Sequence, residues 1–101
     1  MAVLTITKNN FEELVQRAEG TVLLDFWAGW CGPCRMMSPV VEEIAESHPD
    51  IRVGKVNVDE EIELAQRFNV LSIPTFIVFR KGEVAARTAG VRPKASLEEL
   101  L

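Results

Sequence analysis

Histidine occurs once in this chain, as His48, and cysteine twice, as Cys31 and Cys34. A tetrahedral zinc site needs four ligands, so one CxxC and one distant histidine argue against a metal centre within a single chain. Basic residues are in the minority. Eleven Lys and Arg against fifteen Asp and Glu give a net charge of −4, without the basic face that a nucleic acid requires. No apolar run approaches the ~20 residues that span a bilayer, so no membrane association is expected. The opening MAVLTITKNN lacks a basic start and a long apolar stretch, so it does not read as a secretory leader, and a cytoplasmic location is expected. Repeats, linkers and low-complexity tracts are missing as well, and residues 1–101 are expected to form one domain. What remains is the composition of an ordinary soluble globule, 48% hydrophobic and 26% charged.

Hydrophobic periodicity divides the chain into nine elements. VLTIT (3–7) alternates as a half-buried edge strand. NNFEELVQRAEG predicts an amphipathic helix with Phe11, Leu14, Val15 and Ala18 on one face, Asn10 and Glu13 at capping-box spacing, and Gly20 as its stop. TVLLDFWA is apolar almost throughout, as a central strand covered on both faces should be. MMSPVVEEIAES is helical in pattern, and Pro39 lies deep enough to predict a kink. IRVGKVNVD is a third strand, and Asp59 is placed to cap the helix EEIELAQRF. TFIVF and EVAART flank Arg80-Lys81-Gly82, where Gly82 supplies the positive φ of a tight turn. RPKASLEELL closes the chain as a short helix, with Ser96 and Glu99 at capping-box spacing. The order is βαβαβα-ββα. Parallel strands need crossover helices and the hairpin is antiparallel, so an α/β fold with a mixed central sheet and helices on both faces follows.

WAGWCGPCR, Trp27 to Arg35, gathers both cysteines and both tryptophans. A metal clip, a structural disulfide and a cycling thiol pair are the candidate uses. The metal lacks ligands. A disulfide across so short a loop constrains the unfolded chain little, and a reducing compartment disfavours it. Redox cycling is the expected use. The cysteines stand where a strand gives way to a helix, and their spacing puts both on one helix face within bridging distance. Pro33 falls in the first turn, where its missing N–H costs nothing, and Gly32 lets the backbone turn. Cys31 then sits at the helix N-terminus as the nucleophile, and Cys34, one turn inside, as the resolving thiol. Lowering a thiol pKa from about 8.5 to near neutrality takes about 2 kcal/mol. A helix dipole supplies roughly 0.3–1 kcal/mol, so direct hydrogen bonds to the Cys31 sulfur must supply the rest.

VLLDFWAGWCGPCR, followed by SIPTF and the GEV hairpin, resembles the thioredoxin family over nearly the whole chain. The resemblance implies a dithiol at one end of a mixed sheet, no bound cofactor, reduction by NADPH through a thioredoxin reductase, and disulfide-containing client proteins. A monomer is the family expectation. The resemblance also implies that Pro74 is a cis-proline beside the dithiol. Trp30, Ile73, Gly90 and Val91 would form an apolar rim where a client strand lies.

Asp25, amid Val22-Leu23-Leu24 and Phe26-Trp27, should be desolvated, which raises a carboxyl pKa. Strand alternation puts it on the face of Leu23 and Trp27. In the family the matching Asp lies beneath the second cysteine with a Lys matching Lys55 nearby, which implies a base that takes the Cys34 proton directly or through water. Pro33 places no charged or imidazole group between the cysteines, which favours a reductant over an oxidase or isomerase; a binding subunit is the rival from another class. His48 reads as an exposed helix end without a catalytic partner, and Met36-Met37 as packing. Gly29 departs from the bulkier residue common in the family and would loosen the turn. The early end of the last helix would dock it less firmly.

Overall fold

Sheet and helices are taken from a computed structural model describing residues 3–101; Met1 and Ala2, which open the segment read above for a leader, lie outside it. The strands are β1 (Val3–Thr5), β2 (Thr21–Trp27), β3 (Arg52–Asn57), β4 (Thr75–Arg80) and β5 (Glu83–Ala89). The helices are α1 (Gly32–Ser47), α2 (Ile62–Arg67) and α3 (Lys94–Glu98), with a π-helical turn over Glu12–Gln16. The sheet order is β1-β3-β2-β4-β5. β3 runs parallel to both β1 and β2, whereas β4 is antiparallel to β2 and β5, so the sheet is mixed.

β2 has neighbours on both sides and both its faces are covered, which is why its sequence is apolar nearly throughout. Val22, Leu24 and Phe26 join Ile6, Phe11, Val15, Val56, Leu64, Ile77 and Phe79 in one core, under the π-turn and α2. Leu23 points the other way, into a second core with Met37, Val41, Ile44, Phe76 and Leu97 beneath α1 and α3. Each fully buried large apolar side chain contributes about 1.5–3 kcal/mol, so these two layers hold the sheet between its helices. The same parity sends Asp25 to the α1 side.

Several local expectations are corrected. The first helix is only a π-turn, and Asn10 does not cap it. Its Oδ1 accepts the Thr7 N–H at 2.8 Å and its Nδ2 donates to the Thr5 carbonyl, closing the link from β1. α3 starts after Pro93, which places Ser96 inside the helix rather than at its cap. Asn57, not Asp59, accepts the N–H groups of Asp59 and Glu60 ahead of α2. Both Lys81 (φ 53°) and Gly82 (φ 80°) have positive φ, as a two-residue hairpin loop with matched twist demands. A Cβ on Gly82 would also collide with the Gln16 carbonyl oxygen. Pro39 lies deep within α1, as its place in the pattern implied. His48 is not a free helix end: its Nε2 is 2.8 Å from Glu98 Oε2, joining α1 to α3. The last helix is firmly docked, with Leu97 fully buried and the Arg80 guanidinium donating to the Leu100 and Leu101 carbonyls at 2.8 Å.

Candidate active site

Cys31 stands between β2 and the longest helix. Its backbone is extended (φ −91°, ψ 110°), and it is the N-cap of α1: its Sγ accepts the Cys34 backbone N–H at 3.2 Å. A sulfur thus occupies the place where a Ser or Asp oxygen commonly satisfies a free helix N–H. Gly32 opens the helix and Pro33 follows in its first turn, where no backbone bond is lost. The two cysteines are joined as a disulfide with Cα atoms 5.2 Å apart, and each is only 4% exposed.

The turn before the dithiol is braced at two points. The Arg35 guanidinium donates to the Gly29 carbonyl at 2.7 Å, and Trp30 Nε1 donates to Asp59 Oδ2 at 2.9 Å. Trp30 is otherwise open to solvent, 69% exposed. Asp59, expected as a helix cap, instead holds this indole in place. Its partner lies 29 residues away, and no local pattern in the sequence signals the contact. Nothing in the structure requires glycine at position 29, since a Cβ there meets open space.

Trp30, Cys31, Gly32, Pro33 and Ile73 line one groove of about 470 Å³, together with Val58, Val70, Leu71 and Ser72. The first five were expected from the sequence; Val58, Val70 and Leu71 were not, although Leu71 is 86% exposed. The Ile73 carbonyl oxygen lies 3.8 Å from Cys31 Sγ. The Ile73–Pro74 peptide bond is cis, and the Pro74 carbonyl accepts the Gly90 N–H at 2.9 Å. Pro74 itself is buried, Gly90 takes a positive φ of 91°, and Val91 is half exposed; none of the three lines the groove.

Behind the dithiol, Asp25 faces Lys55, its register partner on β3. Burial pushes the Asp25 carboxyl up from 3.8 to about 7, with the Lys55 charge pulling the other way. No ion pair joins them among the described residues. Lys55 Nζ lies instead 5.5 Å from the centre of the Trp27 ring. Asp25 Oδ1 and Trp27 Nε1 are buried and find no hydrogen-bond partner among the described residues. A cavity of about 100 Å³ lies between Asp25, Trp27, Cys34, Arg35, Ser38 and Lys55. Among the described residues no three His, Cys, Asp or Glu side chains cluster as a metal site would need. No described helix is long and apolar enough to cross a membrane.

A family model named thioredoxin matches residues 2–101. Among curated relatives, a thioredoxin of Alicyclobacillus acidocaldarius is 48% identical over 101 residues, covering 99% of this chain and 95% of that one. A thioredoxin of Bacillus subtilis is 43% identical over 102 residues, covering 100% of this chain and 96% of its own length. One of Staphylococcus haemolyticus is 45% identical with the same coverage. A close cysteine pair at a helix start recurs in unrelated redox proteins, but here the likeness runs through every strand of the sheet that carries it. The chain therefore belongs to the thioredoxin family and is a thiol-disulfide oxidoreductase that works through the reversible Cys31–Cys34 disulfide.

Proposed function

We propose that residues 1–101 act as one monomeric domain that reduces disulfides in many cytoplasmic client proteins. No bound cofactor takes part, and NADPH restores the dithiol through a thioredoxin reductase. The observation that carries the reading is the Cys31 sulfur capping α1 beside an open apolar groove. The Cys34 N–H and the positive end of a 16-residue helix favour the charged form of that sulfur. Cys31 thiolate attacks one sulfur of the client disulfide, and the other client sulfur leaves as a thiolate. Asp25 takes the Cys34 proton through water in the cavity between them. Cys34 then attacks Cys31 Sγ, the mixed disulfide breaks, and the client departs with both sulfurs reduced. Asp25 supports the base role because a group titrating near 7 can both take and return a proton at neutral pH. Lys55 tempers the Asp25 carboxyl. Trp30, Ile73, Pro74, Gly90 and Val91 receive the client strand, with Gly32 and Pro33 setting the turn.

The recycling reading is tested by following NADPH consumption with a bacterial thioredoxin reductase and a disulfide-bonded protein substrate. Consumption should depend on this chain and stop in a Cys31→Ser variant. If glutathione reduces the oxidised protein while the reductase does not, the proposed recharging route is wrong. For the base, Asp25→Asn should slow single-turnover disulfide reduction near pH 7 about tenfold or more, since solvent can take over part of the roughly 10²–10⁴-fold that a general base contributes. An unchanged rate removes Asp25 from the mechanism.

A further inference from the structure

The cavity beside Cys34 has a wall that the mechanism above leaves without a role. Cys34 and Ser38 are four residues apart on α1 and therefore share one helix face. Cys34 is buried and Ser38 exposed, so this face runs from the resolving thiol to solvent. Both line the cavity, along with Asp25 and Trp27, whose buried Oδ1 and Nε1 have no partner among the described residues. Buried polar groups are almost always hydrogen-bonded, and about 100 Å³ is well above the ~10–15 Å³ that one water needs. The size and polar lining of this space suit water.

A water that carries a proton must be held by groups that both accept and donate. Of the cavity's side chains, the Trp27 indole, the Arg35 guanidinium and the Lys55 ammonium only donate. The Arg35 fork is drawn toward the Gly29 carbonyl. Lys55 lies over the Trp27 ring. Apart from the reacting pair, Asp25 and Cys34, only Ser38 carries a group that does both. We propose that Ser38 is a positioning residue for the resolving step: its hydroxyl anchors, at the solvent end, the water that joins Cys34 to Asp25. This rests on the reading of Asp25 as the base. The balance is simple. The Cys34 proton passes to the water while that water gives one to the Asp25 carboxylate, and the freed Cys34 sulfur displaces the client from Cys31. The charged and titratable groups facing Asp25 are Lys55 from β3 and Cys34 and Arg35 from α1; its β4 neighbour, Phe76, brings no charge.

The test compares Ser38→Ala, Ser38→Thr, Asp25→Asn and the Asp25→Asn/Ser38→Ala pair by rapid-mixing measurement of the resolving step between pH 6 and 9. Alanine suits a helix interior, so Ser38→Ala should fold, and thermal melts check that it does. Ser38→Ala should slow resolution three- to tenfold at neutral pH, and the deficit should shrink toward pH 9, where solvent hydroxide competes with the water relay for the Cys34 proton. Ser38→Thr should recover the rate to within twofold, alkylation of Cys31 should be unchanged, and the pair should be no slower than Asp25→Asn alone. If Asp25→Asn is slow and Ser38→Ala is not, this inference fails and the base stands. If Asp25→Asn is itself normal, the base reading fails first. Slowing by Ser38→Ala that is independent of pH, or that adds fully to Asp25→Asn, would make Ser38 a packing residue and overturn the proposal.

Discussion

Replacing Cys34 with serine is expected to leave the protein covalently attached to the proteins it attacks, whereas Cys31→Ser leaves it inert. The asymmetry follows from α1. Cys31 is the N-cap residue, and its sulfur accepts a backbone N–H at 3.2 Å; Cys34 lies within the first turn, where its own N–H is the donor in that bond. The first sulfur is therefore the one stabilised as a thiolate, by a hydrogen bond and by a dipole worth roughly 0.3–1 kcal/mol or up to about 2. Resolution then relies on a thiol already held within bonding reach, since the two Cα atoms are 5.2 Å apart. Well-oriented intramolecular groups reach effective molarities of about 10⁵ M or more, so removing Cys34 should slow client release by at least about three orders of magnitude. Non-reducing electrophoresis and mass spectrometry of a reaction with a disulfide-bonded client give the readout. Adducts should accumulate on Cys31 of the Cys34→Ser protein and be missing from Cys31→Ser. Equal capture by both variants would reverse or abolish the division of labour.

The second large effect is on stability. Asp25 is 6% exposed and its carboxyl is raised from 3.8 to about 7, chiefly by burial. Below pH ~3.8 the folded and unfolded chains both hold this proton, and above pH ~7 neither does. Between those values the folded state binds more protons than the unfolded state, so stability falls as pH rises through that window. The accumulated cost is about 4 kcal/mol, large against the 5–15 kcal/mol that holds a typical domain together. Asp25→Ala removes the cost and leaves a small void. We expect it to raise unfolding stability by roughly 2–4 kcal/mol at pH 8 and to give no gain near pH 4, measured by urea titration. A variant that is less stable at pH 8, or offset equally at every pH, would show that the folded protein accommodates the ionised carboxylate without strain.

The sheet was legible because β2 carries its own instructions. An unbroken apolar run implied cover on both faces, and its parity put Asp25 on the side of Leu23 before any packing was known. The helix starts were less legible because capping is a contest between neighbours. Asn10 and Asp59 both sit where a cap is permitted, yet each finds a better partner: Asn10 closes the connection from β1, and Asp59 reaches the Trp30 indole. Spacing shows which bonds are possible, not which win. The dithiol turn was readable for the opposite reason, since Cys31, Gly32, Pro33 and Cys34 interact within one helical turn. Val58, Val70 and Leu71 reach the groove only once α2 is folded against the sheet, so no short pattern marks them. The positive φ of Lys81 was hidden by its side chain, which gives no local sign of tolerating it.

The near-burial of Cys31 determines which proteins this chain can serve. At 4% exposure Cys31, the attacking residue in the proposed cycle, is a recessed point rather than a probe, and it cannot follow a disulfide into a crevice. Displacement at sulfur also needs the three sulfurs nearly in line. In the proposed cycle a client must therefore present its bond on a segment that protrudes and lies extended along the groove. A disulfide packed inside a stable domain is reached only in the moments when that domain opens. Its reduction rate then follows the client's own opening equilibrium rather than the chemistry at Cys31. Buried structural bridges are spared by their hosts' stability, and mobile or strained ones are exchanged first. The selectivity of a broad reductant is written, in this respect, in the mechanical looseness of its substrates.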